Sequence, residues 1–281
     1  MKIGSYELHP IETGRFALDG GAMFGVVPRP LWEKTQPPDD RNRITLAARA
    51  LLLVGGERRI LIDAGNGSKY NEKLTAIYKM DTSRFDLISS LRRIRVDPAE
   101  ITDVILTHLH FDHAGGSTTI LNGRPAPTFP NARYYVQYEQ WLAATKPTER
   151  DRASFVADDF IPLYERGMLQ FTEGEREILP GISVRVLHGH TAALQCPIIS
   201  DGRTKLFFCA DLVPTRSHLQ LPWIMAYDLR PLVTLEEKRR ILREAAEDRW
   251  TLFFEHDPEV PAAVIRDGEK SFEVESCVSL E

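Results

Sequence analysis

Cysteine is scarce in this chain of 281 residues: Cys196, Cys209 and Cys277 are the whole supply, and their number is odd. No disulfide framework follows from such a set, and a reducing, intracellular setting is the default expectation. A basic excess is missing as well. The 35 Lys and Arg residues stand against 40 Asp and Glu, a formal charge of −5, which argues against a nucleic-acid partner. The most apolar run, residues 44–54, is interrupted by Arg49 and is too short to cross a bilayer. Residues 1–7 contain no apolar core of signal-peptide length. A cytoplasmic protein without a membrane partner is therefore expected. Repeats and low-complexity tracts are also absent. With 43% hydrophobic and 27% charged residues, disorder, collagen and coiled coil are poor fits.

What is present alternates between strand and helix patterns. Residues 46–54 and 59–62 read as strands joined by Gly55-Gly56, and the second ends in the turn cluster Asp63-Ala64-Gly65-Asn66-Gly67. Residues 86–95 carry Leu87, Leu91 and Ile94 at helical spacing, and Asp97-Pro98 breaks that helix and opens a short turn. Further strands are predicted over 103–106, 134–136, Ile182–Leu187, Lys205–Phe208 and 250–254, with helices over 138–144 and 235–247. The Gly- and Pro-rich stretches 20–43 and 122–130 read as irregular, the first presenting Phe24 and Trp32 to solvent. Interleaved elements favour a layered α/β architecture. No linker divides the chain, so a single domain over 1–281 is expected.

The chemistry concentrates in Thr107-His108-Leu109-His110-Phe111-Asp112-His113-Ala114-Gly115-Gly116, which holds three of the chain's eight histidines. In an extended chain residues two apart face the same way, so His108 and His110 share a side. A turn at Phe111 then brings Asp112 and His113 towards a neighbouring point. Imidazole and carboxylate are ligands of zinc and similar divalent metals. Isolated histidines are usually polar loop residues or helix caps; clustering favours metal. Three later residues, His190, Asp211 and His256, each follow a predicted strand, and ligand groups in open α/β sheets gather beyond strand carboxyl ends.

This motif set resembles the metallo-β-lactamase superfamily. The resemblance implies a four-layer αββα sandwich with two metal ions at one edge. His108, His110 and His190 would hold one ion, Asp112, His113 and His256 the other, and Asp211 would bridge them. Asp63 would orient a metal-binding histidine. True β-lactamases of this fold lack an equivalent of His113 and a bridging aspartate, so the family name is not the activity. The long region before His108, with Gly20-Gly21-Ala22-Met23-Phe24-Gly25, resembles the branch of quorum-quenching lactonases and methyl parathion hydrolase. So do Asp211-Leu212-Val213-Pro214-Thr215 and Pro222-Trp223-Ile224-Met225-Ala226-Tyr227-Asp228.

Two departures stand out. Pro214 occupies the place where several lactonases carry a tyrosine that contacts the substrate carbonyl, and the loop Gly189-His190-Thr191-Ala192-Ala193-Leu194 lacks the usual second half. His218 and Tyr227 lie in the right stretch to substitute for the tyrosine, with a structural role equally open for each. Phe24, Trp32, Trp223, Met225 and Tyr227 are expected to line an apolar substrate pocket, though core packing explains Trp223 and Met225 as well. Residues 20–43 could also form a lid or the contact of a homodimer. Two ions about 3.5–4 Å apart hold a water acidified towards hydroxide. The implied enzyme thus opens a lactone or cleaves a small ester, with Asp112 and Asp211 as catalytic residues. Phosphotriester hydrolysis and thioester hydrolysis of the glyoxalase II kind are the alternatives. Zinc leads among the metals, with iron, manganese and cobalt compatible. Cys209, two residues before Asp211, reads as core.

Overall fold

The structure, a computed structural model, describes residues 1–280. The chain starts with β1 (Lys2–Ile3) and the long β2 (Tyr6–Asp19), passes the short helices α1 (Gly20–Phe24) and α2 (Arg29–Trp32), and continues as β3 (Arg43–Gly55) and β4 (Arg58–Ile62). Next come α3 (Glu72–Ile77), α4 (Leu87–Arg93), β5 (Asp103–Ile105) and α5 (Phe111–Ala114). A two-stranded ribbon of β6 (Thr118–Leu121) and β7 (Arg124–Pro127) leads to β8 (Arg133–Gln137), α6 (Tyr138–Thr145), α7 (Ile161–Glu165) and β9 (Leu169–Thr172). The remainder is β10 (Glu177–Leu179), β11 (Ile182–Leu187), β12 (Leu194–Ser200), β13 (Lys205–Phe208), α8 (Pro231–Glu247), β14 (Thr251–Phe253), β15 (Ala262–Asp267) and β16 (Phe272–Cys277). Contacts divide the chain into two compact units, Met1–Arg15 with Ala48–Gly174, and Phe16–Ala47 with Glu175–Leu280. Among the described residues no helix is long and apolar enough to cross a membrane.

The seven-stranded sheet β1-β2-β3-β4-β5-β8-β9 belongs chiefly to the first unit. Its interior strand β3 carries Ala50, Leu51, Leu52 and Leu53, all fully buried, as a strand covered on both faces must. The β3–β4 hairpin turns at Gly55-Gly56 as the sequence predicts, and Gly56 takes φ 55 there. From β4 onward β5, β8 and β9 are parallel. Leu87 and Leu91 of α4 and Trp141 of α6 pack with Leu61, Val104, Leu106 and Val136 in this unit's core. The side chain of Asp86 caps α4 by accepting the Ser89 N–H, which sets the helix start one residue later than the apolar spacing alone suggests.

The second unit is built on the seven-stranded sheet β10-β11-β12-β13-β14-β15-β16. β13 and β14 are parallel and connected through α8, while β11, β12 and β13 alternate in direction. β11, β13 and β14 therefore share one orientation, and their carboxyl ends open on one edge of this sheet.

Two expectations are corrected. Residues 20–43 contain α1 and α2, and Phe24 and Trp32 are buried at 0% and 1% exposure, because their rings stack on each other within the unit. Residues 122–130 contain β7. Asn122 and Gly123 at φ 51 and 77 make the tight turn of a β6–β7 hairpin, and Pro125 and Pro127 sit in a two-stranded ribbon that needs few N–H donors.

Candidate metal centre

In the first unit, strand register assembles one group of candidate ligands. Ile62 of β4 lies opposite Ile105 of β5, so Asp63 and Thr107 emerge side by side past the ends of two parallel strands. The Asp63 carboxylate faces three donors: the Thr107 N–H at 2.7 Å, the Thr107 hydroxyl at 2.7 Å, and His113 Nδ1 at 3.0 Å. Asp63, Thr107, His108 and His113 are fully buried. Asp63 sits at φ 56, a conformation that aspartate tolerates better than most residues. With Nδ1 of His113 held, its Nε2 lies 3.9 Å from Asp112 Oδ1.

His108 and His110 do share a side. His108 Nε2 and His110 Nδ1 are 3.0 Å apart, close to the separation of about 3.3 Å between two nitrogens on one tetrahedral zinc ion. Because the Thr107 hydroxyl donates to Asp63, its oxygen is left to accept from His108 Nδ1 at 3.0 Å. α5 begins after an extended His110 and delivers Asp112 and His113 from its first turn. The glycines that close the motif have a packing reason: a Cβ on Gly116 would lie 2.1 Å from the Ala64 carbonyl oxygen. Lys69 donates to the carbonyls of Gly115 and Thr118 and pairs with buried Asp159 at 3.0 Å, which clamps this exit. Tyr78 stacks on Phe111 with centroids 4.9 Å apart, and the Tyr70 hydroxyl donates to the Phe111 carbonyl at 3.3 Å.

In the second unit the same strand edge presents His190, Asp211 and His256, each past the end of a strand of common orientation. The two oxygens of Asp211 divide their attention: Oδ2 lies 3.0 Å from His190 Nε2 and Oδ1 lies 3.1 Å from His256 Nε2. The opposite nitrogen of each ring is fixed. His190 Nδ1 meets Asp228 Oδ1 at 2.8 Å, and His256 Nδ1 meets the Ala47 carbonyl at 2.9 Å. Burial works against a charged His190, but Asp211 and Asp228 outweigh it and raise the ring to about 10. Pro214 has a backbone part here, its carbonyl accepting the His256 N–H at 3.1 Å. Cys209 is fully buried, and burial pushes its thiol well up, consistent with core rather than ligand.

The residues expected to line a substrate pocket all lie in this second unit. Phe24 stacks on both Trp32 and His218, with centroids 5.2 and 4.8 Å apart, and meets Trp223 edge-on at 5.4 Å. His218 uses both ring nitrogens, one with the Thr215 hydroxyl and one with the Met23 carbonyl, each at 2.8 Å. Burial holds it down to about 3, so the ring is neutral. Met225 is buried, Trp223 is half-buried, and Tyr227 is 38% exposed beside Asp228. Thr107 and Asp228, which the sequence does not single out, hold Asp63 and His190 by hydrogen bonds. Asp228 stood inside a quoted segment, but nothing local ties it to a histidine 38 residues earlier.

The donor set fits divalent metal. His113, His190 and His256 each have Nδ1 on a carboxylate or carbonyl, the arrangement that fixes the tautomer and orients Nε2 for coordination. Residues 44–256 match the metallo-beta-lactamase superfamily. The chain is 25% identical over 265 residues to an N-acyl homoserine lactonase of Bacillus cereus, covering 90% of this chain and 94% of that one. A probable metal-dependent hydrolase from Staphylococcus aureus superposes with a TM-score of 0.89 at 30% identity, covering 99% of this chain and 100% of that one. A dizinc quorum-quenching lactonase, solved with its N-hexanoyl-homoserine product, shares the fold at a TM-score of 0.81 and 22% identity, over 99% of this chain and 97% of that one. The chain belongs to the metallo-β-lactamase superfamily and is a metallo-hydrolase of that fold.

Proposed function

We propose that the two sets of ligands together hold two divalent metal ions, zinc foremost, and that the enzyme opens the ring of an N-acyl homoserine lactone. His108, His110 and His190 would hold one ion, Asp112, His113 and His256 the other, and Asp211 would serve both. The observation that carries the reading is the carboxylate of Asp211, whose two oxygens each address a different imidazole. When bound, such a pair supplies a Lewis acid for the carbonyl and water acidified enough to attack near neutral pH.

The protein's own groups divide the remaining work. Asp63, Asp228 and the Ala47 carbonyl hold three rings in one tautomer, so no reorientation is needed as charge develops. Asp112 is 6% exposed; one of its oxygens faces His113, and its carboxylate takes a proton from the attacking water and returns it to the alkoxide of the opened ring. Of the two groups that could stand in for the tyrosine absent at Pro214, His218 already spends both nitrogens. Tyr227, exposed and adjacent to Asp228, supplies the hydroxyl for the substrate carbonyl.

The test is proton release from a long-chain N-acyl homoserine lactone, with metal-replete protein against chelated protein. Rapid release that chelation abolishes supports the assignment. No release from protein carrying two ions, with turnover of a phosphotriester or thioester instead, moves the activity to that substrate.

A further inference from the structure

Helix α8 approaches the His190 loop more closely than a packing contact requires. A Cβ on Gly189 would lie 2.3 Å from Thr234 Oγ1 and 2.6 Å from Thr234 Cα, so the loop rests directly on the helix backbone. One turn further on, Glu237 accepts two consecutive loop N–H groups, His188 at 2.7 Å on Oε1 and Gly189 at 3.0 Å on Oε2. The next residue, Lys238, is 1% exposed and donates to the Trp223 carbonyl at 2.7 Å. Trp223 lies in the segment that ends in Asp228, and the next two residues return to the loop: Leu229 N–H donates to the His190 carbonyl at 3.1 Å and Arg230 N–H to the Gly189 carbonyl at 2.8 Å. Burial lowers Lys238 to about 7, and the charge of Asp228 acts in the opposite direction.

We propose that Glu237 and Lys238 are positioning residues for His190: Glu237 fixes the backbone that carries the imidazole, and Lys238 fixes the segment whose Asp228 holds its Nδ1. The inference rests on the reading of His190 as a metal ligand. A carboxylate is suited to the first task because both of its oxygens accept, whereas an amide offers one acceptor and would set an NH2 against a backbone N–H. A buried lysine is suited to the second because its long side chain carries an N–H donor through the core to the Trp223 carbonyl, and an apolar residue of similar length cannot donate.

Glu237→Gln, Glu237→Ala and Lys238→Met are to be compared with wild type and with His190→Ala. The readouts are affinity for zinc by chelator competition, the visible spectrum of the cobalt-loaded protein, and kcat and KM for the lactone. The expected result is a loss of zinc affinity of about tenfold for Glu237→Gln and Lys238→Met, a shifted cobalt spectrum, and a fall in kcat at unchanged KM. Glu237→Gln keeps the side-chain volume, so it reads out even where Glu237→Ala fails to fold. Wild-type affinity and spectrum in Glu237→Gln and Lys238→Met, while His190→Ala loses an ion, would overturn the brace and leave the metal site standing. Retention of both ions by His190→Ala would overturn the ligand assignment and the brace with it.

Discussion

Asp63→Asn separates the charge of the carboxylate from its geometry. The backbone at φ 56 accepts asparagine as readily as aspartate, so the turn after β4 is preserved. The three hydrogen bonds to Asp63 cannot all survive the change. If the amide nitrogen takes the place of Oδ1, the Thr107 N–H loses its acceptor at 2.7 Å. If it takes the place of Oδ2, it confronts the Thr107 hydroxyl and His113 Nδ1, and the imidazole must move its proton to the nitrogen that faces the metal. Either way one fully buried donor or ring is left wrong, at about 1–3 kcal/mol. Loss of such a partner typically weakens metal binding about 10–100-fold, which is about 1.4–2.7 kcal/mol and agrees with that cost. Zinc affinity by chelator competition, with a thermal melt of the metal-free protein alongside, measures both. Affinity within about twofold of wild type would refute the idea that Asp63 sets the tautomer of His113.

Phe24→Ala removes a ring stacked on Trp32 and His218 and is expected to destabilise the fold by about 3–5 kcal/mol in urea unfolding; a loss below about 1 kcal/mol would show that the stack relaxes freely. His218 is held at about 3 against an ordinary 6.5, so the unfolded chain takes up a proton that the folded chain refuses. Stability from this group is complete above pH 6.5 and is lost as pH falls towards 3, with a total on the order of 5 kcal/mol. His218→Gln should flatten that part of the stability curve, and an unchanged slope would contradict the assignment. Lys69→Met leaves the Asp159 carboxylate buried without its cation and should cost about 3–5 kcal/mol, most of which Lys69→Met combined with Asp159→Leu should recover.

The strands and the candidate ligands were legible because both have short sequence signatures. Apolar runs bounded by Gly-Gly and Asp-Pro marked β3, β4 and the end of α4, and three histidines within the motif from Thr107 to Gly116 marked the candidate ligands. The groups that orient those ligands were hidden, since Asp228 meets His190 only through the fold. Phe24 and Trp32 misled for a related reason: a glycine-rich stretch signals backbone freedom, but their mutual stacking decides burial. The β6–β7 hairpin was overlooked although Asn122-Gly123 is a strong turn signal, because the prolines around it argued against strand. Edge ribbons tolerate proline where interior strands do not.

The most direct measurement is a titration of zinc into chelated protein with lactone opening followed at each addition, for wild type, His110→Ala and Asp211→Ala. Wild type is expected to bind two ions per chain, with turnover rising as both are filled, while each variant neither retains the ions nor opens the ring. Full turnover by Asp211→Ala, or by chelated wild type, would contradict this expectation.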